Sequence, residues 1–343
     1  MGDVDDGAAR TGPLMPAEWA PHTRCWMAWP CRESLWGPHL QAARQAYAEV
    51  ARAIAAFEPV TMIARSDLTA DASLTLGQGM SILPLDHDDS WTRDTAPTFV
   101  ITREGKLAAV DWRFNGWGGA HPDHARDARM ARRVAEHVGA EIIASTLCTE
   151  GGAIHVDGEG TALVCTASIL DPGRNPSLEK TDVEAELQRT LGVSRTIWLE
   201  HGLIDDETAG HVDNLACFAA PGKVLALDPA GAAADDRAGL EANLAALRQA
   251  EGAAGRKLEV IALPSPAMAR REDGRRATRS YVNFYVANDA VIMPAFDDSA
   301  DVTAQKLVQA AFPDRQVIQI DADVILQGGG GIHCITQQQP AVP

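Results

Sequence analysis

Positive charge is scarce in this 343-residue chain: 30 Lys and Arg face 47 Asp and Glu, for a formal net charge of -17. Such a surface repels polyanions, which argues against a nucleic-acid partner, and attracts small cations. Long apolar runs are also missing. None reaches the roughly 18 residues of a membrane-crossing helix, and the opening MGDVDDGAARTGP has neither the basic start nor the apolar stretch of a signal peptide. Residues 1–14 are predicted to be a disordered tail. Cysteine is limited to six residues at irregular spacing, which predicts free thiols and a cytoplasmic location. No Cys or His pair has zinc-finger or HExxH spacing. The glycine run 328–331 lacks the GK[ST] ending of a phosphate loop, and the acidic stretch DHDDSWTRDTAP lacks the bidentate Glu of an EF-hand.

What is present is a globular composition, 46% hydrophobic and 22% charged, and a loose internal repeat. In each copy a polar cluster runs into a β-rich stretch, a Gly- or Asn-containing turn and a second β-rich stretch. The copies are DSWTRDTAPTFVITREGKLAAVDW, EGGAIHVDGEGTALVCTA, ETAGHVDNLACFAAPGKVLALD and SYVNFYVANDAVIMPAFDD. A fifth would pair GGGGIHCITQQQP with the early RCWMAWP. Helical patterns lie between them at 38–58, 122–138, 181–191, 235–251 and 302–312, the third with Thr181 and Glu184 as a capping box and Gly192 as its stop. The alternation predicts an α/β architecture of sequential units around one centre, a single domain over 15–340 whose last unit closes on the first.

In a strand, residues i and i+2 share a face, so GHVDN sets His211 beside Asp213. His155 and Asp157 repeat the pattern, but Asp157 opens a DGEG turn, and turn chemistry accounts for it. Asp86, Asp88, Asp89 and Asp94 crowd one loop, and Glu150 precedes two glycines. Taken singly these acids read as solvated loops, and Cys334 as a small buried hydrophobe. Together they place a thiol, a proton shuttle and several carboxylates at the strand starts of successive units, which a ring would bring into convergence. That set suits a guanidinium, whose planar fork of N–H donors matches carboxylates bidentately. A thiolate attacks its central carbon, ammonia leaves after protonation, and water hydrolyses the S-alkylthiouronium to a ureido product. The order acid, acid, His, acid, Cys is not that of a papain-type protease.

The segments MPAEWAPHTRCWMAWP, DDSWTRDTAPTFV, VDWRFNGWGG, EGGAIHVDGEGTALV, DETAGHVDNLACF and GGGGIHCITQQQP resemble the agmatine deiminases, of the bacterial peptidyl-arginine deiminase type among guanidino-group-modifying enzymes. The resemblance implies a five-bladed α/β propeller with pseudo-fivefold symmetry, hydrolysis of agmatine to N-carbamoylputrescine and ammonia, and no metal or organic cofactor. By motif, Cys334 resembles the nucleophile, His211 the general acid/base, Asp94 and Asp213 the guanidinium-binding carboxylates, and Glu150 the partner of the histidine. Asp88 or Asp89 is expected to reach the distal ammonium, and Trp91 and Trp117 to serve as core or as cavity wall facing a cation. His333 is expected to point to the opposite face. Two departures stand out: Gly331 replaces a usual Asn beside the nucleophile, and CTASILDPGRNP, expected outside the chemistry, replaces TEECLLNPNRNP. A deiminase of free or peptidyl arginine, an amidinotransferase and a non-catalytic cation-binding propeller share these residue types. A homodimer is left open.

Overall fold

A computed structural model describes residues 12–343, so residues 1–11 of the expected tail lie outside the described residues. At its end Leu14 already makes an antiparallel bridge to Ile101.

Five mixed sheets repeat one plan. The first holds β1 (His22–Ala28), β2 (Val60–Ala64) and β3 (Ser81–Pro84). The second is β4 (Thr98–Ile101), β5 (Leu107–Arg113) and β6 (Glu141–Cys148), and the third β7 (Ile154–Val156), β8 (Thr161–Cys165) and β9 (Arg195–Leu199). The fourth is β10 (Ala216–Ala220), β11 (Lys223–Leu227) and β12 (Glu259–Leu263). A small hairpin of β13 (Ala269–Arg270) and β14 (Arg276–Ala277) precedes the fifth, made of β15 (Tyr285–Val286), β16 (Ala290–Ala295) and β17 (Gln316–Asp321). Finally β18 (Gln337–Pro340) pairs antiparallel with β1, Trp26 opposite Gln337, so the first sheet joins both ends of the described chain. In every sheet an antiparallel pair is followed by a helical crossover to a parallel strand, the connection that a parallel pair requires.

The crossover helices are Leu40–Ala55, Met130–Val138, Lys180–Leu191, Ala234–Gln249 and Asp301–Ala311, close to the sequence spacing. Two starts differ. Residues 122–126 stay non-helical because the Asp88 carboxylate captures the Arg126 N–H at 2.7 Å, and a 3-10 turn over Asp127–Arg129 leads into the helix. The capping box forms two residues earlier than Thr181 and Glu184, between Glu179 and Asp182, because Glu179 is the last extended residue and Thr181 is already helical.

Side-chain packing links each sheet to the next. Trp26, Ile63, Phe99 and Val134 join the first to the second, and Val110, Val164 and Leu187 the second to the third. Leu163, Phe218, Leu225 and Val291 run through the third, fourth and fifth, and Met27, Tyr47 and Ile292 bring the fifth back to the first. Each such fully buried side chain contributes about 1.5–3 kcal/mol of transfer free energy. Among the described residues no helix is long and apolar enough to cross a membrane.

Candidate active site

Five short turns, each just ahead of the first strand of a sheet, carry the candidate residues. Thr92–Thr95 holds Asp94, Gly151–Ala153 follows Glu150, and Val212–Asn214 holds Asp213 with His211 at its start. The turn at 281–282 leads into Asn283, and the turn at 332–335 holds Cys334. His211 and Asp213 therefore do not lie on a strand, as their spacing suggested. The Thr208 hydroxyl accepts the His211 N–H at 3.0 Å and the Asn214 N–H turns back to the His211 carbonyl at 3.2 Å, which curls the segment. The turns are stitched together: the Arg93 N–H donates to the Cys334 carbonyl at 3.1 Å, and the Thr92 hydroxyl to the Ile335 carbonyl at 2.7 Å.

His211 sits between two carboxylates, Nε2 at 3.2 Å from Glu150 Oε2 and Nδ1 at 3.8 Å from Asp94 Oδ1. Burial alone would push its imidazole down, but Asp94 and Glu150 outweigh that and hold it up at about 9. Asp94 is oriented by Trp117, whose indole N–H donates to Oδ2 at 2.8 Å, and by the Gly152 N–H on Oδ1 at 3.0 Å. Cys334 Sγ lies 3.7 Å from Asp213 Oδ2 and 3.3 Å from Asn283 Nδ2. Burial, with Asp213 and Asp94 adding to it, pushes the thiol well above its ordinary value. Burial also raises Cys25, Cys31, Cys148, Cys165 and Cys217, so the surroundings and not the acidity single out Cys334.

Gly152 occupies the place that a side chain takes in the other turns. A Cβ there would lie 2.6 Å from His211 Nδ1, 2.9 Å from Asp94 Oδ1 and 3.0 Å from Asp213 Oδ2, so its absence leaves room between the acids and the imidazole. The neighbouring recess is lined by Trp91, Asp94, Trp117, His121, Glu207, Thr208, Gly328, Gly329, Gly330 and Cys334. Trp91 stacks on Trp36 with centroids 6.0 Å apart, so it is both wall and core. At Gly330 a Cβ would come within 2.6 Å of the Trp91 ring and 3.0 Å of Cys334 Cβ, which explains the absence of a side chain beside the thiol. Asp213 Oδ1 is buried without a hydrogen-bond partner. A buried carboxylate oxygen held idle beside an anionic recess is an arrangement completed by a cationic donor.

The match to known sequences agrees with this geometry: residues 14–340 fit the Porphyromonas-type peptidyl-arginine deiminase. The chain belongs to that family. The agmatine deiminase of Stutzerimonas stutzeri is 42% identical over 354 residues, covering 96% of each chain, and that of Pseudomonas aeruginosa is 40% identical over 350 residues, covering 95% of each. A solved structure described as the agmatine deiminase of Enterococcus faecalis catalyzing its reaction superposes with a TM-score of 0.93 at 32% identity, covering 98% of both chains.

Within this deiminase family member, several residues lie elsewhere than the sequence suggested. Asp88 and Asp89 are not on the recess wall: Asp88 accepts the Arg126 N–H, and Asp89 is buried against Arg32 at 3.3 Å. The acid that does line the wall beside Asp94 is Glu207. Gly331 faces Asn283 rather than the recess, and the Asn283 side chain fills the space where a side chain at 331 would stand. Asn283 Oδ1 accepts the His333 N–H at 3.0 Å, tying down the loop whose rigidity Gly331 put in question. His333 does not turn away, because 332–335 is a turn and strand alternation does not apply; its Nδ1 donates to Asp213 Oδ2 at 2.9 Å. The DPGRNP stretch, expected outside the chemistry, reaches the candidate site. Arg174 Nε donates to both Glu150 oxygens, at 2.9 and 3.0 Å, and Nη2 to the Thr208 carbonyl at 2.9 Å. Arg174, Asn283 and Glu207 are among the residues that sequence reasoning missed. For Asn283 a signal existed, since YVNF precedes β15 much as HVDN precedes β10.

Proposed function

We propose that this chain hydrolyses agmatine to N-carbamoylputrescine and ammonia through a covalent intermediate on Cys334. The observation that carries the reading is the meeting of thiol, imidazole and two carboxylates, with Gly152 leaving room between the acids and the imidazole, in a chain of the deiminase family. Asp94 and Asp213 bind the guanidinium. Its positive charge offsets the two anions that raise the thiol, so the thiol gives up its proton to solvent as the cation binds, leaving the thiolate beside an already protonated His211. The thiolate attacks the central carbon, and imidazolium His211 gives its proton to the leaving nitrogen as ammonia departs. The now neutral His211 takes a proton from water, which attacks the S-alkylthiouronium. Collapse breaks the C–S bond, restores the thiolate and releases the ureido product, with the remaining proton passing to ammonia. Glu150, itself held by Arg174, keeps the imidazole oriented. Trp91 and Trp117 wall the cation's path, and no metal or organic cofactor takes part. The five sheets are read as blades of a five-bladed α/β propeller with pseudo-fivefold symmetry, one catalytic domain over 15–340.

For the distal ammonium we place Glu207 in the role first given to Asp88 or Asp89. It already binds Arg271, whose Nη2 donates at 2.7 Å, and the exposed Arg275. An incoming ammonium displaces Arg275, which stays paired with Asp273. Those same arginines favour a second reading, free arginine, whose carboxylate they would meet. Competition of agmatine, arginine and an arginine-containing peptide at equal concentration separates the two. Agmatine is expected to lead clearly in kcat/KM, with Glu207→Gln costing it about 10-fold or more. Equal turnover of arginine would sink the assignment.

Gly152→Ala tests the room left for the guanidinium. Its methyl would crowd His211, Asp94 and Asp213 at once, and kcat/KM is expected to fall about 100-fold or more, as for a misplaced reacting group. Steady-state kinetics within twofold of the unaltered enzyme would contradict this.

A further inference from the structure

Glu18, in the MPAEW segment, has no part in the reaction above, yet it lies 3% exposed in the middle of the molecule. Its Oε1 is 2.9 Å from His333 Nε2 and accepts from Arg93 Nη1 at 3.2 Å, while its Oε2 is 3.6 Å from His155 Nε2. The other His333 nitrogen, Nδ1, meets Asp213 Oδ2 at 2.9 Å. An ionised carboxylate only accepts hydrogen bonds, so an imidazole with a carboxylate on each nitrogen carries both protons. His155 is different. Its Nδ1 accepts the Phe218 N–H at 3.3 Å, so its single proton sits on Nε2 and the ring is neutral. The buried set therefore holds two anions, Glu18 and Asp213, and two cations, Arg93 and His333.

We infer that His333, braced by Glu18, is a standing imidazolium that keeps Asp213 ionised and turned so that Oδ1 stays free for the guanidinium, making His333 and Glu18 positioning residues for substrate binding. Without that brace, Asp213 Oδ2 would have only the thiol of Cys334, 3.7 Å away, and a carboxyl buried among acids would take up a proton instead. The directions of the shifts agree. Burial opposes the charged forms, yet His333 holds Asp213 below the usual carboxylate range, and His333 and Arg93 hold Glu18 well below it. Burial and Arg93 work against the His333 imidazolium, and Glu18 and Asp213 outweigh them.

The inference rests on the guanidinium-binding role proposed for Asp213, and the test keeps the two apart. Agmatine is titrated calorimetrically into Cys334→Ser, which cannot turn over, and into the same protein carrying Glu18→Gln, His333→Gln, Asp213→Asn, or Glu18→Gln with Asp213→Asn. No binding to Cys334→Ser alone would overturn the proposed function itself. Given binding there, Glu18→Gln and His333→Gln are each expected to weaken it about 10- to 100-fold, the worth of a charge-assisted hydrogen bond. Glu18→Gln is expected to add almost nothing once Asp213 is already Asn, since it acts only through that carboxylate. Glu18→Gln nearly preserves shape, so the measurement stands even if His333→Gln folds poorly. Affinity unchanged within twofold in Glu18→Gln, or losses that simply multiply in the combined variant, would overturn the positioning role.

Discussion

Cys334→Ser or Cys334→Ala is expected to remove turnover by at least about 10⁴-fold, the scale on which losing a nucleophile is felt, while agmatine still binds and the melting temperature stays close to that of the unaltered enzyme. The thiol is 6% exposed as part of a buried turn, and neither change adds volume there. Ammonia release measures the loss. A second readout is independent of it: in acid-quenched reactions, mass spectrometry is expected to find the amidino adduct on the peptide containing Cys334 alone. The other cysteines are internal controls. Cys25, Cys148, Cys165 and Cys217 are buried, and Cys31 opens onto a different surface depression, beside Arg32 and Asp88. An adduct on any of them, or a Cys334→Ala protein that turns over normally, would falsify the mechanism.

His211→Asn is expected to lower kcat by about 10²- to 10⁴-fold, since the proposed mechanism uses this one group as acid and then as base. The pH dependence supplies a sharper test. Asp94 and Glu150 hold the His211 imidazole at about 9 against an ordinary 6.5, so the folded protein binds this proton more tightly than the unfolded chain. The stability it contributes is fully present below pH 6.5 and is lost as pH rises through about 9. In thermal melts from pH 6 to 10, the unaltered protein should lose stability over that window, and His211→Asn should lose less of it. Parallel curves would mean that His211 is not charged in the folded state. The alkaline limb of kcat should fall in the same region, where the acid that protonates the leaving nitrogen disappears.

The elements that the sequence revealed are those governed by local rules. Crossover helices followed from apolar spacing and from stops such as Gly192, and hairpins from turn residues between β-rich runs. Cys334, His211, Asp94, Asp213 and Glu150 were legible because each sits in a short motif of its own. What stayed hidden depends on contacts between distant stretches. Arg174 reaches Glu150 across 24 residues and Glu18 reaches His333 across 315, and neither pairing leaves a periodic trace. His333 was misplaced for a different reason: a two-residue alternation was applied to a segment that curls into a turn. Asp88 and Asp89 were drawn into the site by their nearness in sequence to Asp94, but the chain bends at Asp88, and the loop's charges are spent on Arg32 and Arg126.

The pairing of β1 with β18 sets an order of events during synthesis. The ribosome makes β1 long before its antiparallel partner, so the loop that pairs His22 with Pro340 closes only after the strands of the other sheets have been made. Until then β1 presents an open edge and the turn bearing Cys334 has no strand to anchor it, while the acids of the earlier turns are already in place. A nascent chain thus carries the charged lining of its site before it carries Cys334, the proposed nucleophile. On the proposed mechanism, reactivity arrives only once β18 has been made and docks on β1.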